Sequence, residues 1–160
     1  MAGSKFLSAL IVGCVLCVAG ISFAADNDNH QVTVTVSVIN ELAVAGGNIT
    51  LTINSATPGS DPDDVTDATT SLDWTTNDTG KKITAATDNA AATFTLKVNA
   101  TAVTGGTSAG QITLTTTDTD YVTGIATTTG GCTSTYTAQA TATQGNGSDV
   151  HVVTFTLTDV

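Results

Sequence analysis

From Val32 onward the chain alternates apolar with polar residues in steps of two, and that period commits it to strands rather than helices. Val32, Val34, Val36 and Val38 interleave with Thr33, Thr35 and Ser37. Side chains on a strand point to opposite faces in turn, so such a run buries one face and wets the other. Threonine suits the wet face through its β-branched preference for extended backbone. The pattern returns in Ile49, Leu51 and Ile53, in Leu72 and Trp74, in Ile83 and Ala85, and in Phe94, Leu96 and Val98. It continues through Ile112 and Leu114, then Cys132, Tyr136, Ala138, Ala140 and Ala142, and ends with Val153, Phe155 and Leu157. Between these runs fall Gly46-Gly47-Asn48, Asn77-Asp78-Thr79-Gly80, Asp88-Asn89, Gly105-Gly106, Gly130-Gly131 and Gly145-Asn146-Gly147. Glycine and asparagine accept the positive φ angles that hairpin turns require.

No stretch after Ala25 sustains the three-and-four spacing of an amphipathic helix. The sequence therefore predicts an all-β chain of about eight or nine strands, an antiparallel β-sandwich of immunoglobulin-like or pilin-like kind. Residues 32–38 are expected as its first strand, paired inside the sandwich, with Trp74 and Phe94 near the centre of the core.

Upstream the chain is of another character. Lys5 is the only charge before Asp26, and residues 6–18 form a mostly apolar run of the length found in secretory signals. Ser22-Phe23-Ala24 places small residues at the two positions a signal peptidase reads. Cleavage is expected after Ala24, leaving residues 1–24 as a signal peptide and residues 25–160 as a single domain. An uncleaved anchor is opposed by Ser8, Gly13, Gly20 and Ser22, which interrupt the run. Lipid attachment at Cys14 is opposed by the apolar residues that continue past it. The product is expected outside the cell or at its surface, without membrane contact after cleavage.

Charge narrows the partners. The chain has 4 lysines, no arginine and 14 acidic residues, for a net charge of −10. Nucleic-acid binding depends on lysine and arginine displacing counterions, so no nucleic-acid partner is expected. Cys14 and Cys17 leave with the leader, and Cys132 alone cannot form an internal disulfide; it is expected as a small buried side chain.

Residues 55–67 form the one long irregular stretch, and long loops in compact domains are either functional or merely flexible. Asp61, Asp63, Asp64 and Asp67 would supply hard oxygen ligands to calcium, although the spacing matches no EF-hand loop. Asp118 and Asp120 form a second, weaker candidate. A plain solvated acidic loop is the alternative, in which case no cofactor is needed. His30 and His151 lie in no metal-ligand spacing, no G-x-S-x-G is present, and Glu41 is the only glutamate. No catalytic constellation is visible, so the chain is not expected to be an enzyme.

Ser71-Leu72-Asp73-Trp74-Thr75-Thr76-Asn77, then Lys81-Lys82-Ile83-Thr84 and Thr129-Gly130-Gly131-Cys132-Thr133, resemble small secreted threonine-rich bacterial β-sandwich proteins of uncharacterised function. At fold level the chain also resembles the subunits of fimbriae and other surface fibres. The resemblance implies an exported β protein and transfers no functional residues. Two functions are expected in competition. One is a structural or adhesive surface protein, the self-assembling subunit of an extracellular filament, with Val32, Val34, Val36 and Val38 as the strand that pairs with a neighbour. The other is a secreted calcium-dependent module that binds a glycan or another surface protein.

Overall fold

The computed structural model describes residues 27–160, so the expected leader, its cleavage position and Cys14 lie outside the described residues. Every ladder lies within the unit formed by residues 36–160; residues 27–35, described from the unit before it, carry none. Among the described residues nine strands follow in order: β1 Asn40–Ala45, β2 Val65–Thr76, β3 Lys81–Thr87, β4 Thr95–Thr104, β5 Thr107–Ser108, β6 Gln111–Thr113, β7 Thr119–Ile125, β8 Thr128–Gln139 and β9 Val153–Asp159. They form a five-stranded sheet in the order β1-β2-β8-β4-β6 and a four-stranded sheet in the order β5-β7-β3-β9. All pairings are antiparallel. The fold is an all-β sandwich, as the period-two pattern requires.

Strand β2 shows how the pattern becomes a core. Leu72, Trp74 and Thr76 are buried while Asp73 and Thr75 on the opposite face are exposed. Trp74 lies opposite Gly130 of β8, and a Cβ at that glycine would stand 2.5 Å from the indole and 2.4 Å from the Thr104 carbonyl. The bare glycine is what leaves room for the indole beside β8. The Trp74 Nε1 finds no acceptor among the described residues, a cost of about 1–3 kcal/mol that the buried ring area offsets.

Ile83, Ala85, Val98, Tyr121, Val122, Ile125, Cys132 and Tyr136 complete the centre of the core. Tyr121 is fully enclosed, donates its hydroxyl hydrogen to Ser134 Oγ at 2.7 Å and stacks at a tilt against Phe155, 5.1 Å between ring centres. Cys132 is a buried free thiol, as expected for a cysteine without a partner.

Burial raises the Tyr136 phenol to about 12 and moves Tyr121 in the same direction, against the opposing effect of its hydrogen bond with Ser134. Both phenols would ionise near pH 10 in the unfolded chain. The folded state then holds more protons above that pH, so the phenols' contribution to stability is full below about pH 10 and is lost progressively as pH climbs from there. Lys81 reinforces this loss: Asp159 first, then Asp78, hold its ammonium and raise its pKa. In an alkaline titration, tyrosinate absorbance should rise only together with cooperative loss of the fold. Two phenols titrating freely near pH 10 with the fold intact would contradict their burial.

Three expectations need correction. Residues 32–38 are not a strand of this sandwich: among the described residues no ladder includes them, and β1 begins at Asn40. Residues 48–54 keep their alternation, with Ile49, Leu51 and Ile53 half-buried between exposed neighbours, yet they too carry no ladder. Phe94 is half-buried beyond the core, 3.5 Å from where a Cβ on Gly147 would sit. Its place is set by Asp149, whose carboxylate accepts from the amides of Thr93 and Phe94, each at 2.7 Å. Tyr121 holds the centre instead.

Candidate assembly surface

The valines that the sequence singles out stand in solvent. Val32 is 70% exposed, Val34 83%, Val36 72% and Val38 70%, which is the reverse of what an alternating apolar run does inside its own sandwich. Immediately before β1 the chain is gripped by Asn77, which opens the connection that crosses from β2 in one sheet to β3 in the other. The Asn77 side chain accepts from the Ile39 amide at 2.7 Å and donates to the Ser37 carbonyl at 2.7 Å, while its own amide donates to the Ile39 carbonyl at 3.2 Å. A side chain able to donate and accept at once is what this double grip demands, and asparagine supplies both. Thr76 adds a hydroxyl bond to the Asn40 side chain at 2.6 Å. The chain is therefore held to the sandwich at residues 37–40.

Among the described residues the sheets end on open edges. On one side β1 of the first sheet approaches β9 of the second; on the other, β4 approaches β5. At the β1–β9 side the core is incompletely covered. Leu42, Val153, Phe155 and Leu157 pack against it and remain half-exposed. Val44, on the same face as Leu42, is 56% exposed. Edge strands with uncovered apolar side chains are templates for pairing with another chain.

The acidic loop is arranged differently. Asp61 accepts from the Ala142 amide at 2.9 Å, Asp63 from the Ser55 hydroxyl at 2.8 Å, and Asp64 from the Gln139 side chain. Asp67 accepts from the hydroxyl and the amide of Thr69, which hold its carboxyl below the usual range. Asp61, Asp63 and Asp64 thus tie the loop down, whereas Asp67 already lies in β2, which begins at Val65 and so shortens the expected irregular stretch, and bonds only within that strand. Among the described residues no three His, Cys, Asp or Glu side chains gather to hold a metal ion. Asp120 pairs with Lys82 at 2.9 Å, while Asp118 is exposed.

Other polar features are local. His151 Nδ1 lies 3.0 Å from Thr87 Oγ1, so the imidazole serves the start of β9. A shallow hollow on the outer face of the five-stranded sheet is lined by Glu41, Asp73, Thr104 and Gly131 among others. Among the described residues no helix is long and apolar enough to cross a membrane. The Asn77 grip was hidden in the sequence, where the residue reads as ordinary turn chemistry; its partners lie 38 and 40 positions away. No protein-family model, curated protein or solved structure matches this chain.

Proposed function

We propose that this protein is an exported structural protein of the cell surface that assembles with copies of itself into an extracellular filament. The observation that carries the reading is the exposed, unladdered run of Val32, Val34, Val36 and Val38. A contiguous apolar stripe in solvent marks an interaction site, and an alternating stripe is shaped to join a sheet. No charged residue lies between Gln31 and Ile39, so the segment is not guarded against pairing in the way that edge strands commonly are. The partner that every molecule of this chain brings with it is another molecule of the same chain, which also presents open edges.

Sedimentation velocity over rising concentration, with negative-stain microscopy, tests the reading. The salt should be near 0.15 M, where exposed charges more than about 8 Å apart are screened, because the net charge of −10 opposes association at low salt. Long regular fibres are the expected result. A protein that stays monomeric at millimolar concentration under these conditions is not a filament subunit.

A further inference from the structure

The open edges differ in what they offer. Strand β5 has 2 residues and β6 has 3, too few for a segment the length of 31–39. Strand β1 has 6 and β9 has 7. β1 carries Glu41 and is the direct continuation of the arm. No glycine or proline interrupts residues 31–45, and Asn77 holds residues 37–39, so the arm has no turn by which to fold back along its own β1.

β9 is better prepared. The Val152 carbonyl accepts from the Asp88 amide at 3.2 Å, and the Val160 amide donates to the Gly80 carbonyl at 3.0 Å. Both residues thus turn their main chain toward β3. The β3–β9 register between them is unbroken, and main-chain direction alternates along a strand. Val153, Phe155 and Leu157 therefore direct their N–H and C=O groups to the open edge. The same three residues carry their side chains on the core side, half-covered, while Thr154 and Thr156 are exposed on the other face. Residues 152–158 include no charge, and Asp159 just beyond is held by Lys81.

We propose that β9 of one copy receives the 31–39 arm of another, which rests on the assembly reading and adds the edge that accepts the arm. Cross-strand partners share a face, so the valines of the arm sit opposite Val153, Phe155 and Leu157 and close the half-covered core. Thr33 and Thr35 join Thr154 and Thr156 in solvent. A slip of one residue would turn every valine outward, so the apolar pattern fixes the register.

Residue-resolved hydrogen exchange on the full chain, dispersed and assembled, tests the assignment. In the dispersed protein the amides of Val153, Phe155 and Leu157 should exchange freely while those of Thr154, Thr156 and Thr158, bonded to β3, are slow. Assembly should slow the first set by about a hundredfold or more and leave the second unchanged. Protection that appears instead at Leu42 and Val44 of β1, or along residues 48–54, with Val153, Phe155 and Leu157 still fast, overturns the β9 edge while leaving self-assembly standing. Absence of any assembled species removes both together.

Discussion

The double variant Val34→Asp with Val36→Asp is expected to weaken self-association by on the order of a hundredfold or more, without changing the stability of the dispersed protein. Burying a valine contributes about 1.5 kcal/mol at the low end, and each 1.4 kcal/mol is a factor of about ten in affinity, so two lost valines account for about two decades. Placing two carboxylates against an apolar edge adds a desolvation cost in the same direction. In the dispersed chain both positions are already in solvent, 83% and 72% exposed, so the thermal midpoint should move little. Sedimentation velocity reads the first quantity and circular dichroism melting the second. Unchanged association would remove the arm from the interface. A large fall in melting temperature would mean instead that the arm stabilises the dispersed fold.

Trp74→Ala is the substitution expected to damage the sandwich most, by about 3–5 kcal/mol, the cost of emptying a large aromatic site that neighbours cannot refill. Trp74 is 2% exposed, and the backbone of β8 at Gly130 is already in contact with the indole, leaving no side chain there to move into the void. Thr75→Ala, one residue along and exposed on the outer face, should cost within about 0.5 kcal/mol. Denaturant unfolding followed by far-ultraviolet circular dichroism measures both, since the first variant removes the single tryptophan. Equal small effects at the two positions would place the indole outside the core.

Which positions would be visible from local pattern alone follows from geometry. Alternation is a property of a strand by itself, so Leu72, Trp74, Ile83, Val98 and Phe155 declared their inward faces before any partner was known. Strand β7 escaped because its pattern is broken: Tyr121 and Val122 are adjacent and both buried, the β3–β7 register shifts next to them, and Gly124 takes a φ of 67°. A bulge admits consecutive residues to the core and erases the period that would have revealed the strand.

The amino-acid order by itself determined the all-β class, the two-faced strands, the burial of Trp74 and Cys132, and the lack of charge in residues 31–39, because each depends on near neighbours or on composition. Only the tertiary structure decided which strands found partners. The run at 32–38 has as good a strand pattern as any, yet no ladder includes it, and β1 starts at Asn40 instead. The acidic residues of the long loop looked like a set in sequence, but the fold carries Ala142 and Gln139 to Asp61 and Asp64 and gives each carboxylate a separate task. The grip of Asn77 on residues 37–39 likewise exists only once β2 has paired with β1 and brought its end beside Asn40. Side-chain alternation is written into a strand, whereas main-chain pairing is a contract between segments far apart in sequence, settled by competition among all the edges of the fold.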